Sequence, residues 1–241
     1  KNNKLLSLAY DALGIGEALQ NNHGQAKQYF DKAIATDNNL ALSYLHRGQS
    51  LENLGNSELA SKDYNQALKI DANCLKANKD YITQLLESAQ LEEALIQAIK
   101  IQELKPNDTE SQILLAKAHQ KKSTYTEALV ILNNVIKNDP KNVEAYTMIG
   151  QIYMSQGDFA QADEVFRNAS KFDKVDAELF LSWARALAYL GFYELALEKF
   201  KEAADMNPYD ADIYESWAQA LKSLGRFNEA SEVYKLASSY L

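Results

Sequence analysis

The feature that most limits how this chain can fold is a pattern that returns every 34 residues without an insertion. It is clearest from Val143 to Asp176, where two amphipathic helical stretches are separated by Gly157. In the first, Tyr146, Ile149, Gly150 and Tyr153 fall at i, i+3, i+4 and i+7 and so share one helix face. Phe159, Ala162, Phe166 and Ala169 form the apolar face of the second. Gly150 and Ala162 put small residues where the two faces must meet, and Gly157 supplies a left-handed conformation that ends the first helix at little steric cost. A helical hairpin of this kind cannot bury its own apolar face and needs neighbours of the same build.

With Val143 as position 1, the frames start at Ser7, Ala41, Leu75, Thr109, Val143, Ala177 and Ala211. Position 20 is alanine in all seven: Ala26, Ala60, Ala94, Ala128, Ala162, Ala196 and Ala230. Position 24 is Phe30, Tyr64, Phe166, Phe200 and Tyr234 in five frames, and position 27 is alanine in the same five. The prolines, Pro106, Pro140 and Pro208, all hold position 32, which keeps the breaker out of helix interiors. Position 15, the turn inside each hairpin, is Gly55, Gly157, Gly191 and Gly225 in four frames and Asn21, Ala89 and Ser123 in the others. Asn adopts the left-handed conformation readily, whereas Ala and Ser do so at greater cost. The third and fourth frames also depart at the packing positions, with Ile82 or Ala116 at position 8 and Ala98 or Leu132 at position 24. A large Ile82 facing a small Ala98 reads as volume compensation within one hairpin. Two accounts of these middle frames stay open: drift inside an otherwise stable array, or a flexible or specialised surface.

Tyr146-x-x-Ile149-Gly150-x-x-Tyr153 followed by Ala162, Phe166 and Ala169, like Tyr10-x-x-Leu13-Gly14 followed by Ala26, Phe30 and Ala33, resembles the tetratricopeptide repeat. The resemblance covers the chain from Ser7 onward. It implies an all-α fold, a right-handed α-α superhelix (solenoid) of about seven helical hairpins in which each contacts its neighbours. Residues 1–6 then read as the tail of a preceding repeat or a linker, ahead of an array over 7–241 divided as 7–40, 41–74, 75–108, 109–142, 143–176, 177–210 and 211–241. The opening KNNKLL and the end at Leu241 suggest a segment cut from a longer protein, or a last helix whose face (Tyr234, Leu236, Ala237, Tyr240 and Leu241) is covered by a partner. If that face is uncovered, the isolated segment is expected to self-associate through it or to contact a neighbour there.

Composition narrows the function classes. A net charge of −8 and a pI near 5.0 argue against a nucleic-acid partner, because binding a phosphate backbone needs a dominant basic surface. No apolar run approaches the ~18–20 residues that span a bilayer. The single cysteine, Cys74, cannot form an internal disulfide, which favours a reducing, cytoplasmic setting and leaves a periplasmic one open. His23, His46 and His119 occupy unrelated repeat positions, and Cys74 has no paired ligand spacing, so no metal or cofactor is expected. His119 takes the slot of Tyr153 and reads as a packed, hydrogen-bonded imidazole. There is no phosphate loop and no nucleophile elbow, and the chain is not expected to be an enzyme.

In the tetratricopeptide family, positions 2, 5, 9, 12 and 13 line the concave wall built by the first helices. By that resemblance the partner-binding groove here would include Lys76, Lys79, Leu86, Ile113, Lys117 and Lys121 in the third and fourth frames. It would continue with Thr147, Gln151, Leu181, Arg185, Tyr189 and Gln219 in the last three. The four lysines would gather on adjacent hairpins and draw an acidic segment or a free carboxylate, with Ile113 and Leu86 setting specificity. Position 2 is acidic in the last four frames (Glu110, Glu144, Glu178 and Asp212), which also suits a helix N-terminus. The carboxylate clamp by which some family members hold heat-shock chaperones is absent: Lys79 fits its first place, but Thr83 and Leu114 replace the asparagines that follow. Two functions follow. One is a non-catalytic scaffold or adaptor holding a peptide segment or partner helix in the groove. The other is a regulatory or substrate-recruiting arm of a larger enzyme, such as a glycosyltransferase, with its catalytic domain outside this segment.

Overall fold

A computed structural model of the chain describes residues 2–71 and 74–238. It divides into two compact units, Lys1–Thr124 and Tyr125–Leu241. The first holds α1 (Asn2–Leu19), α2 (His23–Thr36), α3 (Ala41–Asn53), α4 (Ser57–Ile70), α5 (Leu75–Glu87), α6 (Leu91–Leu104) and α7 (Thr109–Lys121). The second holds α8 (Tyr125–Asn138), α9 (Val143–Ser155), α10 (Phe159–Ala169), α11 (Ala177–Tyr189), α12 (Tyr193–Met206), α13 (Ala211–Ser223) and α14 (Phe227–Ser238). No strand occurs among the described residues. Each unit is a stack of helical hairpins, a stretch of solenoid in the sense the repeat implied. From α3 on, every odd-numbered helix begins on the first residue of a frame.

The turns inside the hairpins share one chemistry. The residue at position 15 is left-handed in every frame: φ is 75° to 82° at Gly55, Gly157, Gly191 and Gly225, and +62°, +56° and +61° at Asn21, Ala89 and Ser123. The next residue then turns its N–H back to a carbonyl five residues earlier, as in Asp158 to Tyr153, Gln90 to Leu85 and Thr124 to His119, each at 2.9 Å. That bond satisfies a carbonyl which the helix end would otherwise leave open. Between hairpins, from α7 on, the side chain just before the first helix caps it, whereas Leu40 before α3 and Cys74 before α5 supply no side-chain cap. Asp108, Asn142 and Asp176 accept the backbone N–H of Ser111, Ala145 and Leu179 at 2.8, 3.0 and 2.9 Å.

Packing follows the small-residue positions. All seven position-20 alanines are buried, six of them with no exposed surface and Ala230 at 1%. A Cβ on Gly150 would lie 2.3 Å from the Phe166 ring, and one on Gly48 would lie 2.6 Å from Tyr64, so these backbones approach as closely as glycine allows. In α5 and α6 the exchange is reversed, and Ile82 and Ala98 are both fully buried. A core in the first unit gathers Leu45, Tyr64, Tyr81 and Leu85, and one in the second gathers Phe166, Trp183, Phe200 and Tyr214. No helix among the described residues is long and apolar enough to cross a membrane.

Candidate functional site

Within each unit the first helices of the hairpins touch one another, α1 with α3, α5 with α7, α9 with α11 and α11 with α13. A ladder of polar contacts ties one frame to the next along this wall. Gln151 on α9 donates from Nε2 to Glu178 Oε1 at 2.6 Å and to Ser182 Oγ at 3.0 Å on α11. Arg185 on α11 repeats the arrangement on α13, where it meets Asp212 at 2.5 Å and Ser216 at 2.9 and 3.1 Å. In the first unit Gln49 on α3 donates to Asp80 on α5 at 2.6 Å. Lys79 on α5 reaches Glu110 on α7 at 2.5 Å and Asp108, the cap of α7, at 3.0 Å. Burial opposes the charge on Lys79, but its bonds to Glu110 and Asp108 prevail and hold its pKa above the ordinary lysine value.

The ladder gives the acidic column at position 2 a role beyond the helix dipole. Gln151 and Glu178, like Arg185 and Asp212, stand 27 residues apart, position 9 of one frame against position 2 of the next. That fixed offset is legible in the sequence once the wall is known, and reading each frame alone misses it. The expected lysine cluster fares differently. Lys79 is committed to two carboxylates and its side chain is 12% exposed. Lys76 and Lys121 are exposed and Lys117 is half-buried. Ile113, Thr147 and Leu181 are buried and offer little surface to a ligand, while Leu86 packs on the core of the first unit. Thr147 Oγ1 is enclosed with no partner among the described groups.

Arg185, Tyr189 and Gln219 do come together. With Ala188, Tyr193 and Ser216 they line a groove of about 360 Å³ in the second unit. Tyr189 is 70% exposed, and its ring stacks on Phe159 with centroids 4.5 Å apart and planes within 10°. This stack fixes an aromatic plate at the groove's edge, and Arg185 is fixed by Asp212 and Ser216. The surface is therefore rigid and mostly neutral, suited to a peptide's apolar and amide groups.

The first unit has a counterpart of about 490 Å³ between α1, α3 and α5, lined by Ile15, Leu19, Gln49, Glu52, Lys76 and Asp80 among others. Ile15 and Gln49 at position 9 and Lys76 at position 2 hold wall positions of the repeat, as do Leu19 and Glu52 at positions 13 and 12, whereas Asp80 at position 6 does not. Glu52 accepts the Tyr64 hydroxyl at 2.6 Å; burial, with Asp80 and Glu87 nearby, raises its pKa against that bond. His46 Nδ1 lies 3.1 Å from Asp11 on α1, a contact across the same wall. His119 Nδ1 lies 2.8 Å from the Thr124 hydroxyl, which itself donates to the His119 carbonyl, so this imidazole belongs to a turn. No group of three or more His, Cys, Asp or Glu side chains among the described residues gathers to hold a metal ion.

Comparison with known proteins gives a consistent picture. Family models described as the tetratricopeptide repeat match residues 41–74, 121–181 and 181–238, together more than half of the chain. No curated protein matches in sequence. Among solved structures, a tetratricopeptide repeat protein from Parabacteroides merdae is similar with a TM-score of 0.76 and 19% identity, over 89% of this chain and 84% of that one. PilW, a type IV pilus biogenesis factor, is similar with a TM-score of 0.70 and 19% identity, over 86% and 96%. Yeast Tom70 is similar with a TM-score of 0.72 and 18% identity, over 99% of this chain and 51% of that one. At these identities the likenesses speak to the fold.

Proposed function

Because this chain belongs to the tetratricopeptide repeat family, we propose that it is a non-catalytic protein–protein interaction scaffold, holding a peptide segment or partner helix against the wall of its first helices. The observation that carries this reading is the groove where Tyr189, Arg185 and Gln219 converge, a pre-formed aromatic and amide surface on the wall of first helices. The array is divided into seven frames, six of 34 residues and the last over 211–241, with residues 1–6 ahead of them. A reducing compartment, the cytoplasm, is the setting we favour on the single cysteine, Cys74, with the periplasm as the alternative. Photo-crosslinking tests the surface: a benzophenone amino acid at Tyr189 captures the partner in cells, whereas one at Glu164, exposed on α10, does not. Capture from Glu164 alone would reverse the assignment of faces.

In the first unit the reading includes an acidic segment drawn to Lys117 and Lys121 on α7 and to the exposed Lys76 on α5. Lys79 adds little, because Glu110 and Asp108 already neutralise it. Replacing Lys117 and Lys121 with Glu is expected to weaken binding of the cross-linked partner at least tenfold and flatten its salt dependence, with melting nearly unchanged. Unaltered affinity would remove the acidic segment and leave the groove at Tyr189 standing. Self-association is proposed through the outer side of α14, where Tyr234 and Leu236 are 40% and 42% exposed. Tyr240 and Leu241 lie outside the described residues.

A further inference from the structure

The two tryptophans hold the same position in successive frames, but their surroundings differ. Trp183 has Asp163 at its indole N–H and Lys199 over its ring at 4.7 Å, where the equivalent residues for Trp217 are Leu197 and Val233. Trp183 on α11 is 8% exposed and donates its indole N–H to Asp163 Oδ1 on α10 at 2.7 Å. Asp163 sits at position 21 of the frame before, and in the first unit Tyr81 is hydrogen-bonded to Ser61 across the same two positions. Trp217 on α13 should find its acceptor at the corresponding place on α12, but that residue is Leu197. Its indole nitrogen is enclosed and has no partner among the described groups. Of the other equivalent pairs, Leu95 with Leu115 and Leu129 with Ile149 are apolar and Lys27 with Arg47 is charged, so none of them sets an indole against an apolar residue. Trp217 is thus a donor set against a position that offers no acceptor.

The same ring lines a groove of about 620 Å³ between the second helices α12 and α14, away from the wall of first helices. Leu197, Trp217, Leu221, Val233 and Leu236 make its floor. Its rim carries Glu194, Glu198, Glu229 and Glu232 against Lys201 and Arg226. Arg226 is already spent, bonded to Glu229 at 2.5 and 2.6 Å and to Glu194 at 3.0 Å. Glu198 and Glu232, both exposed, leave the rim with excess negative charge. An apolar floor inside an acidic rim is complementary to an apolar side chain flanked by lysine or arginine.

We propose that this outer groove is a second protein-binding site, independent of the first-helix wall, and that its occupant is a short basic segment whose leucine or phenylalanine enters over Trp217. The segment's cations meet Glu198 and Glu232, and one of its main-chain carbonyls accepts the Trp217 indole N–H. Since that nitrogen lies beneath the groove lining, the bond forms as the half-buried ring tilts toward the entering chain. The missing acceptor at Leu197 is what leaves the ring without a tether of the kind that holds Trp183.

The test uses the whole chain in a Trp183→Phe background, so that emission reports Trp217 alone. The probe is a synthetic peptide of leucines interspersed with lysines, and its control carries glutamates in place of the lysines. The lysine peptide is expected to shift Trp217 emission and to bind at least tenfold more tightly than the control. Glu198→Lys with Glu232→Lys should cost at least tenfold in affinity, whereas the same charge change at Glu58 and Glu103 in the other unit should cost less than twofold. Leu197→Asp, which rebuilds the arrangement at Trp183, should remove the emission shift. Circular dichroism confirms that each variant is folded. Equal loss from both charge-reversed pairs, or tight binding with no change in Trp217 emission, would overturn the site and leave the groove at Tyr189 untouched.

Discussion

The hairpins α5–α6 and α9–α10 meet the same packing requirement with opposite residues. In α9–α10 the first helix contributes Gly150 and the second Phe166, whose ring lies so near the glycine that any Cβ there would collide at 2.3 Å. In α5–α6 the bulk has crossed over: Ile82 on the first helix fills the space, and Ala98 on the second makes room. Both pairs are buried, so summed volume and closeness of approach are what the repeat demands at positions 8 and 24, and either helix can supply the bulk. The turns differ in parallel. Gly157 enters the left-handed region freely at φ +80°, whereas Ala89 occupies it at φ +56° with a Cβ in place.

Exchanging the two arrangements is the strongest way to break this comparison. Phe166→Ala removes a fully buried ring and is expected to cost about 3–5 kcal/mol, read from urea melts. Gly150→Ile, with Phe166 in place, overpacks the contact and is expected to cost about 3 kcal/mol. Combined, the two changes rebuild in α9–α10 the pair found in α5–α6, and the double variant should be more stable than Phe166→Ala alone. A strictly additive cycle would mean that positions 8 and 24 do not trade volume and that Ile82 and Ala98 are unrelated.

Much of this was open to reading in the sequence because the repeat multiplies each signal. A lone Gly157 says little, but a position that is left-handed at Asn21, Ala89 and Ser123 as well as at four glycines identifies the turn by its place in the frame. The exchange between Ile82 and Ala98 is equally legible, since both departures fall in one frame. The candidate wall was harder. A repeat position says which way a side chain leaves the helix but not whether the neighbouring frame has claimed it. By its repeat position Lys79 reads as a free cation, yet Glu110 and Asp108 lie beside it. By repeat position Ile113 and Leu181 read as surface, yet packing inside the array leaves them 3% and 1% exposed. Tyr189, at the edge of the wall and beyond that packing, remained exposed. The contacts that decide availability run between frames, and single-frame reasoning omits them.

A milder change sharpens the comparison at a position the two hairpins share. Ala162 and Ala94 are both fully buried where the second helix meets the first. Ala162→Leu is expected to cost about 1–3 kcal/mol, because the extra atoms enter a contact already held close by Gly150. Ala94→Leu should cost a similar amount if the alanine serves the same approach in both hairpins. A much smaller loss in α5–α6 would show that a pair built on Ile82 holds its helices farther apart. Thermal melts of the two variants decide between these outcomes.

The smallest effect concerns the turns and separates backbone conformation from packing. The left-handed region costs an L-residue roughly 1–2 kcal/mol that glycine does not incur. Glycine also loses more freedom on folding, which takes back roughly 0.5–1 kcal/mol. The balance favours glycine, so Ala89→Gly is expected to stabilise the chain by about 0.5–1 kcal/mol. Ala89 is exposed, so the substitution leaves no cavity in the core. The reverse change is equally clean: a Cβ on Gly157 would meet nothing within 4 Å, so Gly157→Ala tests conformation alone and should lose a similar amount. Ser123, at φ +61°, should respond to glycine as Ala89 does. A rise for Ala89→Gly matched by a fall for Gly157→Ala in urea midpoints would assign the weaker turns of the middle frames to the backbone. A fall for Gly157→Ala with no rise for Ala89→Gly would mean that the α5–α6 turn is held by its neighbours, among them the bond from the Gln90 N–H to the Leu85 carbonyl, firmly enough to absorb the strain.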